Sequence, residues 1–399
     1  MTTDPRLNVT PAMQRIPLAL VAVGALALVG GLIVSPTRTW MNLLVDGFYV
    51  LSLGVSALFF ITTQRLSSSL WSAAIRRIPE AITRVLPAAA VLMVVLAFGF
   101  GHLYAWTDPA KLHEDHALVT AGRETYLAPG FVYARMIVVI ALWLGFSLWF
   151  RRISLAGDAG RDAGLRAHRR LNRAAAMFAP IFALTFTAAA YDFIISLDPK
   201  WFSTMFAVYV FAGSFVQGIA AIALVMIILR RRRALGSSAA LLDDGVQATL
   251  GTMILAFSTF WGYIWVCQYL LIWYGNIPEE VTYYLARSSA PWLPLFLANF
   301  VINWIIPFFV LLPRSSKRSM RVMAAMCVLV LAGRWLDLYL MVMPSRWEMP
   351  HVGVLELGMA AGAGGLIYLI VMRGLARAPL VPTHEPILAA RHSAEGGAS

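Results

Sequence analysis

Residues 16–35 read IPLALVAVGALALVGGLIVS, an apolar run without a single charge. Wound as a helix at 1.5 Å per residue, such a run is about 30 Å long, the thickness of a bilayer's hydrocarbon core. No small-residue cleavage site follows it, so it is expected to stay as a span rather than leave as a signal peptide. Comparable runs recur near 40–64, 86–106, 130–150, 174–197, 204–229, 246–273, 291–312, 322–343 and 351–373. The prediction is therefore an all-α integral membrane protein of about ten transmembrane helices.

Composition agrees. Of 399 residues 60% are apolar and 13% charged, against roughly 45–50% and about 25% in soluble globular domains. That excludes an ordinary water-soluble enzyme. The formal net charge of +12 would suggest a nucleic-acid partner in a soluble protein, but here loop sidedness accounts for it. Lys and Arg number 24 in the N-terminal tail, the even-to-odd loops and the C-terminal tail, 6 in the opposite loops, and 2 (Arg135 and Arg334) within spans. The positive-inside rule then puts both termini in the cytoplasm, and no nucleic acid is expected.

The chain divides into a cytoplasmic tail at 1–15, a transmembrane domain at 16–373 and a flexible cytoplasmic tail at 374–399. Within the domain, segment 65–85 places Leu66, Leu70, Trp71, Ile75, Ile78, Ile82 and Val85 at helical spacing, with Arg76, Arg77 and Arg84 between them. That pattern suits an amphipathic helix in the cytoplasmic interface, its arginines near anionic headgroups, or a contact with a partner subunit. The connectors 151–173 and 230–245 are Arg-rich, and the outer loop 107–129 is acidic. Cys267 and Cys327 each stand alone in an apolar run, so the chain offers no iron–sulfur or zinc set and no covalent haem attachment.

An internal echo is visible. Tyr191-Asp192 is followed by Pro199 and Trp201, and Trp335-Leu336-Asp337 by Pro344 and Trp347, the acid preceding the proline by seven residues in both. Trp40 likewise opens the second span before Asp46. Spans 2–5 and 6–9 are thus candidates for two related four-helix bundles of parallel orientation.

Intramembrane charge costs roughly 2.5–3.5 kcal/mol at mid-bilayer on insertion scales, so such groups face protein or water. The spans hold Asp46, His102, Arg135, Asp192, Arg334, Asp337 and Glu356, all toward the outer half; nothing comparable marks the inner half. A polar cavity opening outward, suited to proton-coupled chemistry, is one reading. Local ion pairs, Arg334 with Asp337 and Arg135 with Asp192, are the other. Four carboxylates against two arginines leave acids in excess, which makes Asp46 and Glu356 the less easily paired. A haem between helices would need two histidines at one depth; only His102 and the interfacial His351 qualify, so no haem is expected.

Four blocks resemble a known family: WMNLLVDGFY (40–49), SLDPKWFSTMFAVYVFAGSF (196–215), FWGYIWVCQYLLIWYGNIPEE (260–280) and GRWLDLYLMVMP (333–344). They are similar to the smaller of the two ten-helix membrane subunits of bacterial alternative complex III, in the polysulfide-reductase membrane-subunit (NrfD-like) superfamily. The resemblance covers roughly residues 38–345. It implies two four-helix bundles plus flanking helices, and a place in a quinol:cytochrome c or quinol:acceptor oxidoreductase of a bacterial inner membrane. Implied partners are a multihaem cytochrome c, an iron–sulfur subunit, a second NrfD-like membrane subunit and smaller subunits. The implied cofactor is a quinone, menaquinone or ubiquinone, with no redox centre in this chain. Asp46, His102, Asp192 and Asp337 are then the candidates for quinone contact or proton transfer, supported by Arg135, Arg334 and Glu356. A purely structural anchor of the same complex and a proton-coupled transporter are the competing functions. Against the transporter, Pro180 and Pro307 fall in non-corresponding spans, so no matched pair of broken helices is evident.

Overall fold

A computed structural model describes residues 7–108, 123–198, 201–232 and 242–382. Pro199 of the echo, most of the acidic loop 107–129, the middle of connector 230–245 and nearly all of the C-terminal tail lie outside the described residues. Among those described there is no strand, and ten helices are long and apolar enough to cross a membrane. The chain is an all-α, multi-pass membrane protein.

The helices are α1 (Pro11–Val34), α2 (Pro36–Leu66), α3 (Ser72–Ala97), α4 (Pro129–Ala156), α5 (Arg161–Phe193), α6 (Phe206–Arg231), α7 (Asp244–Gly275), α8 (Leu293–Leu311), α9 (Met320–Val342) and α10 (Val354–Ala376). Prolines at the first or second position open α1, α2 and α4, where a missing N–H costs nothing. Asp243 and Ser319 cap α7 and α9 by accepting backbone N–H bonds.

α2, α3, α4 and α5 pack into one group and α6, α7, α8 and α9 into a second, while α1 lies along α10 at the side. The architecture is that of two four-helix bundles with a flanking pair. Over their most apolar windows α2 and α6 are each 89% buried, more than any other span. They are the first helices of the two bundles, they pack on each other, and they form the centre of the molecule. An aromatic seam joins them to α5: Phe59 stacks on Phe182 at 4.2 Å between ring centroids, and Phe211 and Phe215 close edge-on against Phe59. The flanking pair meets through glycines. A Cβ on Gly24 would stand 2.6 Å from the Cα of Gly362, so the two backbones touch where no side chain fits.

α3 departs from expectation at both ends. It starts at Ser72 rather than near 86, because Arg76 and Arg77 do not reach toward headgroups. They are buried and neutralised by Glu80. It ends at Ala97 because the chain turns at Gly99, where a Cβ would lie 2.2 Å from Cδ2 of Trp40. A single turn, Phe100–Leu103, follows.

Candidate functional site

Six of the seven predicted ionisable residues are tied into three ion-paired centres or the space between them, all toward the end of the molecule opposite the start of α1 and the end of α10. The seventh is not. His102 lies in the turn beyond α3, exposed, and among the described residues its ring meets no hydrogen-bond partner. Its expected place within a span rested on α3 running on to 106, which Gly99 prevents.

The first centre belongs to the α6–α9 bundle. Arg334 and Asp337, one turn apart on α9, form an ion pair with both side chains 1% exposed. Arg334 also donates to Ser214 Oγ at 3.2 Å and to the Val210 carbonyl at 3.3 Å. Gly213 makes the room, since a Cβ there would stand 2.4 Å from Arg334 Nη1. Asp337 accepts further bonds from the Tyr209 hydroxyl, from Asn299 Nδ2 at 2.9 Å and from Trp261 Nε1 at 3.3 Å. Asn299 is aimed by Asn303, whose amide donates to its Oδ1 at 2.7 Å. Asn303 lies in a wide π turn, Val301–Ile305. Pro307 follows and has no N–H for the carbonyl four residues back, which is a physical cause for the turn. A cavity of about 20 Å³ reaches Asp337 beside Gln268 and Arg287. That volume holds about one water and is too small for a quinone ring.

The second centre belongs to the α2–α5 bundle. Asp192 on α5 accepts a two-pronged bond from Arg135 on α4, both contacts at 2.6 Å, and a third from the Tyr126 hydroxyl at 3.1 Å. The Arg135 guanidinium lies over the Tyr126 ring at 3.8 Å. Burial first, then the nearby Asp192 charge, pushes the Tyr126 hydroxyl up to about 12, so it remains a donor. Alongside runs an open groove of about 620 Å³, lined by Tyr126, Tyr191, Trp201, Phe202 and Ser196 among others.

The third centre joins α2 to α10. Glu356, fully buried, accepts from Arg38 at 2.6 and 2.7 Å, from Asn42 Nδ2 at 3.0 Å and from the Gly353 N–H at 2.8 Å. Arg38 counts as a loop residue by sequence, and nothing in the sequence shows that it reaches an acid 318 positions away.

Asp46 stands between these centres and, among the described residues, pairs with no cation. One oxygen accepts from Trp335 Nε1 at 2.8 Å; the other, Oδ2, is buried and has no partner among the described residues. The same holds for Oδ1 of Asn42, one turn earlier on the same face of α2. Beyond Asp46 that face carries Tyr49, Ser52 and Ser56. Ser52 donates to Gln217 of α6 at 2.9 Å, and Gln217 to the Tyr49 carbonyl at 3.1 Å. The two central helices thus share a polar contact at Tyr49, Ser52 and Gln217.

No protein-family model matches the chain, and no curated protein matches it either.

Sequence reasoning missed a fourth cluster, at the opposite end of the bundle. Glu80 of α3 meets Arg76 at 3.2 Å and Arg77 at 2.7 Å and accepts from Ser154 of α4, while Arg77 also pairs with Asp158. Charge therefore marks both ends of the spans, not one. Glu80 at i+3 and i+4 from the two arginines was the available signal. Among the described residues no three His, Cys, Asp or Glu side chains gather as a metal-ligand set.

Proposed function

We propose that the chain is a membrane subunit of a quinol:cytochrome c or quinol:acceptor oxidoreductase of the alternative complex III type, and that it handles protons rather than electrons. In this reading it sits in a bacterial inner membrane with both termini cytoplasmic, beside a multihaem cytochrome c, an iron–sulfur subunit, a second NrfD-like subunit and smaller partners. The observation that carries the proton role is Asp46. It is the acid of the set that can take up or release a proton at Oδ2 without opening an ion pair. Asn42 leads from it toward Arg38 and Glu356, and Tyr49, Ser52 and Gln217 continue the polar contact the other way.

Quinone contact has its best support at the groove beside Asp192, where Tyr126 and Trp201 flank space for a ring. A quinol bound there would supply the electrons and protons of the reaction. Tyr126 would position a ring oxygen, and Arg135 would hold Asp192 in place. Asp337 is closed by four side chains, Arg334, Tyr209, Asn299 and Trp261, with only the small cavity beside it, and is assigned a structural role.

A second reading, a purely structural anchor, is favoured by the three closed ion pairs. The test is purification of the native assembly followed by quinol:acceptor turnover of Asp46→Asn. Co-purifying c-type haem and iron–sulfur protein with a slowed variant support the proposal. Wild-type turnover in the variant leaves the anchor. A functional protein free of haem and iron–sulfur partners overturns both and returns the transporter.

A further inference from the structure

At the end of the molecule where α1 begins and α10 ends, three helices turn arginines into one groove of about 600 Å³. Arg84 comes from α3, Arg151 from α4, and Arg373 with Arg377 from the end of α10. Arg84 is held there by the fold: its Cδ occupies the space a Cβ on Gly374 would need, 2.9 Å away. Arg373 donates to the neutral Gln14 side chain at 2.6 Å. Arg84, Arg151 and Arg377 make no hydrogen bond or ion pair among the described residues, and each of the first two is within electrostatic reach of the third. Glu80, whose charge reaches Arg151, is already committed to Arg76, Arg77 and Ser154. Asp158 is committed to Arg77.

Gathering like charges without a counter-charge is unfavourable unless an anion completes the set. The rest of the groove says which anion. From Arg84 one turn into the span come Pro87 and Ala88; from Arg151 going the same way come Leu148 and Leu144; from Arg373, Ile370. All three helices therefore present charge at the rim and apolar surface one to two turns deeper. Leu148 is half exposed, so the groove is open at the surface of the chain. A free phosphate would satisfy the rim alone. A molecule with a phosphodiester at one end and hydrocarbon at the other satisfies both.

We propose that this groove is a binding site for an anionic phospholipid, with the headgroup phosphate among the four arginines and the acyl chains along the apolar strip of α3, α4 and α10. It is independent of the proton and quinone roles, since none of its residues belongs to those centres.

The test uses the full chain in its native assembly, purified in detergent and stripped of loosely held lipid. It is then exposed separately to phosphatidylglycerol vesicles, phosphatidylcholine vesicles and inorganic phosphate, and retained lipid and melting temperature are read. Wild type should retain phosphatidylglycerol and melt higher with it, and should do neither with phosphatidylcholine. The double variant Arg84→Gln/Arg151→Gln should bind phosphatidylglycerol about thirtyfold more weakly, taking each basic side chain at its usual interfacial contribution. Because that variant removes charge and could also disturb folding, Leu148→Trp fills the apolar strip and leaves every arginine in place; it should lose the lipid too. Equal retention of the two lipids, unchanged binding in both variants, or full protection by inorganic phosphate alone would each overturn the assignment.

Discussion

Trp335 on α9 donates its indole N–H to Asp46 on α2 at 2.8 Å, and this bond is the tie between the buried acid of one bundle and a helix of the other. Among the described residues it leaves the second oxygen of Asp46 without a partner. Asp46→Asn keeps the acceptor for Trp335 and replaces the other oxygen by an amide N–H₂ of the same size, on the helix face that carries Asn42 one turn earlier. The variant is therefore expected to melt at or near the wild-type temperature while, under the proposed function, quinol turnover falls about a hundredfold, the scale of a lost proton-transfer group. Trp335→Phe should do the reverse. It strips the remaining bond from a buried acid, at a cost of about 1–3 kcal/mol in stability. Thermal melts and turnover of the assembled complex separate the two effects.

The Arg135–Asp192 pair calls for a double-mutant cycle. Side-chain exposure is 15% and 1%, so removal of either partner leaves a largely buried charge alone. Each single alanine variant should lose about 3 kcal/mol, the low end for a broken buried pair because Arg135 keeps some solvent. Arg135→Ala/Asp192→Ala should lose clearly less than the sum, since no uncompensated charge remains. Additive losses would mean that the pair is not coupled in the membrane.

The span count and bundle order were legible because each depends on a local property, an apolar run of bilayer length or an acid placed seven residues before a proline. Asp192 and Asp337 occupy corresponding places at the ends of α5 and α9, as that echo implied, and each is neutralised by an arginine. The arginines do not correspond. One comes from the neighbouring helix and one from the same helix a turn earlier, which no repeat in the sequence announces. The pairing of Arg38 with Glu356 was illegible for a simpler reason: it joins the second helix to the last, and only the packing of α2 against α10 sets their distance. His102 was misplaced because a glycine inside an apolar run reads as tolerated helix. The crowding of Trp40 against Gly99, which ends α3, is a tertiary fact.

Glu80 is expected to matter more than its neighbours. It is 3% exposed and serves both Arg76 and Arg77. Glu80→Gln leaves Arg76 without its ion pair to Glu80 and Arg77 with Asp158 alone, a loss of about 3–5 kcal/mol. Asp158→Asn should cost less, because Asp158 is 17% exposed and Arg77 keeps Glu80. Ser154→Ala removes one donor to Glu80 and should cost about 1 kcal/mol. Melting temperatures of the three variants should therefore rank with Glu80→Gln lowest, and any other order would place the burden of this cluster elsewhere.

Two glycines on α10 give opposite signs for the same substitution. A Cβ on Gly362 would stand 2.6 Å from the Cα of Gly24, backbone against backbone, so Gly362→Ala must push α1 away from α10. The cost of such overpacking is about 1–3 kcal/mol. A Cβ on Gly364, two residues on, would meet nothing within 4 Å. There the methyl adds no clash and restrains the helix, so Gly364→Ala should be neutral or stabilising by about 0.5–1 kcal/mol. Both changes add one methyl to the same apolar helix, so general hydrophobicity cannot separate them. A melting temperature that falls for Gly362→Ala and does not fall for Gly364→Ala would locate the α1–α10 contact at the Gly24–Gly362 crossing; a matching fall in both would place the close approach elsewhere along the pair.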